Sequence, residues 1–249
     1  PGEASKTFAV TTGANAGAIT LSYSLTGPSV SLLTGLSPTS SVIRNVGTAS
    51  VSSVPSSVAT KQRSAPITIT LSAPPPAGQS VTLLTSLTGD PATGADTPEP
   101  VVFPAGSTSR SLTVVAGGTS AGVLTLSFSL SGSAANLYGP VDPLSATMDV
   151  TGAVNIGALP STAAPGALIT STATLTATVP SKGGYELSVA LTGTASTGAT
   201  SPTTIFASTS GPQRPFEIRL GSVTGTLTVT FSGGGASTKF YTSIPSPVV

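Results

Sequence analysis

The 249-residue sequence predicts an all-β chain of tandem β-sandwich repeats, each about 104 residues long. Three observations carry that expectation. A segment returns at a fixed spacing, apolar and hydroxyl side chains alternate with period two, and no stretch shows a capped helical stripe.

The spacing comes first because it sets the domain count. Ala16 to Gly27, with Ile19, Leu21 and Tyr23 on alternate positions, returns as Ala121 to Gly132 with Leu124, Leu126 and Phe128. It returns again as Thr224 to Gly233 with Leu227, Val229 and Phe231. Lys6, Arg110 and Arg214 precede the three copies at steps of 104. The other half of the unit repeats too: Leu71 through Ala95 matches Leu175 through Ala199. The chain therefore divides into the C-terminal half of a unit (1–47), a complete unit (48–152) and a second one (153–249), with short linkers expected at 46–54 and 150–160. Half a sandwich leaves its strands without partners, so residue 1 is expected to be an interior point of a longer chain.

Within each unit, alternation is clear in Ile67–Leu71, Ser80–Leu83, Leu112–Val114, Val123–Leu130 and Leu227–Phe231, with Gly, Pro, Asn, Asp and Ser between. About seven short strands per ~100 residues is the pattern of an immunoglobulin-like sandwich. Tyr23, Phe128 and Phe231 are expected in the cores, with Leu32, Leu137 and Phe240 downstream. Tyr138 and Tyr241 align with each other.

Composition narrows the function. The chain has no His, no Cys and no Trp, 7% charged residues and a net charge of +1. Triads that need histidine, cysteine nucleophiles, disulfides and zinc fingers are thereby excluded, and no basic surface for nucleic acid exists. No apolar run reaches the ~18 residues of a membrane span. Asn15, Asn45, Asn136 and Asn155 all fail as N-glycosylation sites, so any sugar is O-linked.

Leu87 to Asp96, followed by Val101 to Gly106 and Arg110 to Val114, resembles the central motif of Calx-beta and related immunoglobulin-like repeats, in which a Gly-rich turn bearing an acid precedes a Phe-Pro-Ala-Gly turn and an alternating strand. The resemblance covers most of 48–152 and weakens in the last unit, where Thr200 replaces the acid. It implies an immunoglobulin-like fold of the kind found in large extracellular surface, filament or cell-wall proteins. It also implies calcium at one end of the sandwich, with Asp90, Asp96 and Glu99 as metal candidates and Asp142 and Asp149 further along. Against calcium, the acids that complete the family's site are replaced here by Ala116 and two glycines, so no cofactor is expected. Paired carboxylates can also hydrolyse glycosidic bonds, but these lie in a Pro/Gly turn with no aromatic platform, and no enzyme activity is expected.

Lys6, Arg110 and Arg214 are assembly candidates as a periodic cationic stripe; the plainer reading is edge charges that discourage stray strand pairing. Ser37, Pro74, Pro75, Pro76, Thr97 and Ser201 are candidate glycosylation sites, and Ser246-Pro247 is a further Ser-Pro step, because Ser/Thr-Pro steps and Pro runs resemble O-glycan acceptors of wall and flagellar-surface proteins. So few charges give little repulsion against association. The expected function is a rigid, O-glycosylated building block of a filament, appendage, stalk or wall layer. Its expected partners are copies of itself, other structural chains or glycans. The alternatives are an adhesin or carbohydrate-binding array that uses loops 89–100 and 133–145, and a spacer within a large enzyme or virion protein.

Overall fold

The computed structural model describes residues 5–33, 35–181, 183–206, 211–242 and 244. Its regular structure is strand, joined by single 3-10 turns. An N-terminal hairpin pairs β1 (Gly17–Ser22) with β2 (Ser40–Asn45). Then come β3 (Gly47–Ser52), β4 (Ser57–Ala59), β5 (Ile67–Leu71), β6 (Ser80–Thr88), β7 (Val101–Pro104), β8 (Ser109–Leu112), β9 (Gly122–Ser131), β10 (Tyr138–Asp142) and β11 (Ser145–Thr151). The last part holds β12 (Val154–Ile156), β13 (Leu168–Leu175), β14 (Glu186–Thr192), β15 (Gln213–Arg219) and β16 (Thr228–Gly234).

Strands β3 to β11 form two facing sheets, β10-β3-β5-β8 and β4-β11-β9-β6-β7. Pairing is antiparallel except at β10·β3 and β11·β4. In β5 the Ile-Thr-Ile-Thr-Leu alternation turns Ile67, Ile69 and Leu71 inward, where they meet Val81, Leu83, Phe103, Leu124, Leu126 and Met148 from the other sheet. A four-stranded sheet facing a five-stranded one, with the last strand β11 beside β9, is the immunoglobulin-like sandwich arrangement.

The second sandwich repeats these registers. Ile69↔Arg110 in β5·β8 becomes Ala173↔Arg214 in β13·β15, and Thr85↔Phe128 in β6·β9 becomes Val189↔Phe231 in β14·β16. In each sandwich one phenol also ties the segment after a 3-10 turn to the residues that follow β5 or β13. Tyr138 Oη donates to the Ala73 carbonyl at 2.8 Å, and Tyr241 Oη donates to that of Ala177 at 2.9 Å. Both rings pack where a glycine opens the first strand: a Cβ on Gly47 would lie 2.7 Å from Tyr138 Cε1. That close approach, rather than a flexible connection, is why Gly47 and Gly152 recur.

Three expectations need correcting. The linkers at 46–54 and 150–160 are largely strand: β2 passes to β3 through Val46 alone, and β11 reaches β12 two residues on. Hydrogen bonds continue through them: Thr48 N–H donates to Ser72 Oγ, Gly152 N–H to the Phe240 carbonyl and Ala153 N–H to Thr176 Oγ1, each at 2.8 Å. Tyr23 is half-buried rather than core, with Phe8 edge-on at 6.2 Å, because among the described residues no sheet faces β1·β2. Phe128, Phe231 and Phe240 are buried, whereas Leu137 is only partly so. The Leu32 side chain and Ser246-Pro247 lie outside the described residues.

One buried group breaks the repeat. Tyr185 replaces Val81 of the first sandwich, its ring 4.6 Å from that of Tyr241, and its hydroxyl has no hydrogen-bond partner among the described residues. Burial pushes its phenol up to about 12 and raises that of Tyr241 further, with Tyr185 adding to the latter. An unpaired buried hydroxyl costs about 1–3 kcal/mol. Tyr185→Phe is therefore expected to stabilise the second sandwich by about 1 kcal/mol in urea denaturation, whereas Tyr241→Phe, which strands the Ala177 carbonyl, is expected to lose about as much.

Candidate functional site

Two places concentrate polar contacts or exposed apolar surface: the joint between the sandwiches and a cleft at the end of the second one.

The joint starts from Thr119, Ser120 and Ala121, which lead into β9, and from Thr178, which follows β13. Ser120 and Thr178 form a parallel bridge, with Thr178 N–H donating to the Thr119 carbonyl at 2.8 Å and Ala121 N–H donating to that of Thr178 at 3.1 Å. The Thr178 hydroxyl donates to the Thr119 carbonyl at 2.7 Å and lies 2.9 Å from the Ser120 hydroxyl. Ala121, at the start of a first-sandwich strand, is fully buried in the core of the second. The hairpin repeats this device, since Ala16 is buried in the core of the first sandwich. There Pro74 stands at the place of Thr178 and has no N–H to give, so the Thr178-type bond to the preceding carbonyl has no counterpart.

Asp90 completes the joint. It sits at the first position of a 3-10 turn, Asp90–Ala92, and its carboxylate oxygens accept from Ser181 N–H at 2.6 Å and from Ser181 Oγ at 3.1 Å. Hydrogen bonds to an ionised acceptor are short and roughly twice as strong as neutral ones. Lys239 Nζ lies 3.4 Å from Asp149 across the same boundary, but its side chain is 58% exposed and the pair is a minor contact.

The metal candidates are therefore not gathered. Asp90 is held by Ser181, while Asp96 and Glu99 are exposed, Asp96 lending only its N–H to the Val115 carbonyl. Among the described residues no three His, Cys, Asp or Glu side chains converge on a cation position. Packing gives the reason that Gly117 is not an acid: a side chain there would collide with the Thr93 and Pro91 carbonyls.

Arg110 and Arg214 lie on β8 and β15, the outer strands of their sheets, Arg110 exposed and Arg214 half-buried; Lys6 is exposed in the segment before β1. Of the glycan candidates, Ser37 and Thr97 are exposed, and Ser201, Pro74 and Pro76 are half-buried. Pro75 is buried, which leaves its ring no room for a modifying enzyme or a sugar.

The cleft, of about 400 Å³, lies between the segment Leu159 to Pro165 and the two sheets of the second sandwich, floored by Ile169, Ile218, Leu220, Leu227 and Val229. Sequence reasoning missed both places. The recurring Ala16 and Ala121 were a signal for the joint, but nothing local distinguishes an alanine inserted into a neighbour from one in a turn.

No protein-family model matches the chain, and no curated protein matches it. Among solved structures, the Yersinia pseudotuberculosis adhesin InvE is similar at 15% identity and a TM-score of 0.33, over 77% of this chain and 55% of the adhesin chain. CBD12 from CALX1.2 is similar at 7% identity and a TM-score of 0.29, over 71% of this chain and 76% of that one. The chain thus spans about half the length of the adhesin it matches. Among the described residues no helix is long and apolar enough to cross a membrane. By its own strand order and registers, the chain is all-β, a tandem array of immunoglobulin-like sandwiches.

Proposed function

We propose that this chain is a stiff, non-catalytic building block of an extracellular surface or appendage protein, with units at 1–47, 48–152 and 153–249 that hold one another at a fixed angle. The carrying observation is the repeated joint, in which Ala16 and Ala121 each enter the next core. Strands that pass from one sandwich to the next through one or two residues support the same reading. A surface rich in hydroxyls and poor in charge fits an exported chain that is coated or packed side by side with copies or other structural chains. Exposed Ser37 and Thr97 are the places for O-linked sugar.

Small-angle scattering on the whole chain tests the reading. It is expected to give the distance distribution of a bent but stiff rod, broadening when Asp90→Ala removes the Ser181 clamp while both sandwiches stay folded. A distribution of freely jointed units in the unaltered chain overturns it.

The adhesive alternative has one observation in its favour, the apolar-floored cleft by Leu227 and Val229, which in that reading receives a ligand.

A further inference from the structure

We infer that the flank of the first sandwich, between 98–102 and 110–113, binds a uronic-acid residue of an acidic polysaccharide, with Arg63 and Arg110 on its carboxylate and Glu99 on its hydroxyls. The inference goes beyond the building-block reading and gives that block a ligand.

β7 and β8 are the outer strands of their respective sheets, and an open groove of about 630 Å³ runs between them. Every residue that lines it falls between 63 and 113, inside the complete unit. The places where neighbouring units meet this one, Ala16 and 119–121, take no part in it.

Two arginines converge there. Arg110 lies opposite Ile69, which is fully buried. Partners in a ladder share a face, so the Arg110 side chain leaves β8 on the side of the space between the sheets, at its open flank. Arg63 stands beside Val115, and its Nη1 donates to Thr113 Oγ1 at 2.8 Å, which holds the guanidinium at the groove. Among the described residues neither arginine is in an ion pair, and neither is Glu99, which lines the same groove.

An inward charge on an outer strand also discourages stray strand pairing, and Arg110 alone would serve that end. The second sandwich keeps that much: Arg214 stands opposite Ala173. It keeps nothing else. Leu168, paired with Arg219, takes the place of Arg63 beside Val115, and Thr203 takes the place of Glu99. Arg63 and Glu99 are therefore additions of the first sandwich that edge protection does not require.

The lining chemistry selects the ligand. Two arginines and one glutamate leave a net charge of +1, enough for one carboxylate, which a guanidinium binds through paired N–H groups. Glu99 accepts hydrogen bonds from hydroxyls and repels a second anion, so chains dense in sulfate or phosphate are disfavoured. Ser111 and Thr113 add hydroxyls, while Pro100, Val101 and Val102 form an apolar wall. One carboxylate, several hydroxyls and an apolar C–H face on one ring describe a uronic acid, and a neutral sugar would leave both arginines without a partner.

Nuclear magnetic resonance titration of the labelled whole chain tests this, with trimers of galacturonate, guluronate and glucuronate as probes and neutral galactotriose beside them. At least one uronate trimer is expected to shift the amides of Glu99, Val101, Val102 and 110–113, leaving 211–219 of the second sandwich unmoved. Arg110→Gln is expected to weaken binding roughly fivefold, and Arg63→Gln with Arg110→Gln to remove it. The Arg110 side chain is exposed and holds no partner among the described residues, so thermal unfolding of Arg110→Gln should match the unaltered chain. Arg219→Gln, on the second sandwich, should bind as the unaltered chain does. The proposal is overturned if no uronate trimer moves these amides, or if galactotriose moves them equally. It is also overturned if an acetylated Gly-Asp-Gly amide, a carboxylate without sugar hydroxyls, moves them at lower concentration than every uronate. Each of these results leaves the scattering test of stiffness untouched.

Discussion

Replacing Ala121 with aspartate is expected to unfold the second sandwich while the first remains folded. Ala121 belongs by sequence to the first sandwich, two residues after Thr119, yet it is fully buried among Val154, Tyr185, Phe216 and their neighbours in the second core. A carboxylate placed there finds no cation, and its desolvation costs about 4 kcal/mol or more. That is a large part of the ~5–15 kcal/mol by which a domain is stable. Hydrogen exchange resolved along the chain should show protection lost over 153–242 and retained in β5, β6 and β9. Ala121→Ser, which adds one hydroxyl, is expected to do much less. Ala16→Asp should transfer the damage to the first sandwich. If protection in the second sandwich survives Ala121→Asp, Ala121 does not enter its core and the joint is not as described.

Phe231→Ala is expected to cost the second sandwich about 3–5 kcal/mol, the usual penalty for truncating a buried aromatic side chain. Phe231 lies opposite Val189 on β14 and edge-on to Phe216 of the facing sheet, with ring centroids 5.9 Å apart at 76°. Its removal opens a void between the layers that flanking strands cannot collapse into without breaking the ladder. In urea the second sandwich should melt early. The first should shift by the smaller amount that neighbouring repeats lend each other through the Asp90, Thr178 and Ala121 contacts. Phe128→Ala is the mirror experiment, with the larger loss in the first sandwich. Equal losses in both sandwiches from either variant would mean that the chain folds as one body.

These experiments separate what was legible in the sequence from what was not. Alternation of side chains is a property of extended backbone itself, so Ile67–Leu71 and Val123–Leu130 announced both their strands and their inward faces. The period of 104 carried the second sandwich, because a repeated sequence repeats its pairings: Ile69↔Arg110 returns as Ala173↔Arg214. The aligned Tyr138 and Tyr241 recur in one role, each donating to the corresponding carbonyl.

Tertiary structure decided the rest. Asp90 reads locally as a turn residue or a metal ligand, and only packing brings Ser181, 91 positions away, onto its carboxylate. Tyr23 carries the same alternating signature as Phe128 and Phe231 but stays half-exposed, because a pattern specifies which face is apolar and not whether another sheet covers it. The residues around Gly47 and Gly152 look like linkers and are strand, since close approach of a tyrosine ring demands glycine as strongly as a turn does. Period and alternation are short-range properties that any stretch of chain displays by itself, and they set the sheets. Which residue meets which neighbour across a joint depends on surfaces assembled from distant segments, and that only the folded chain determines.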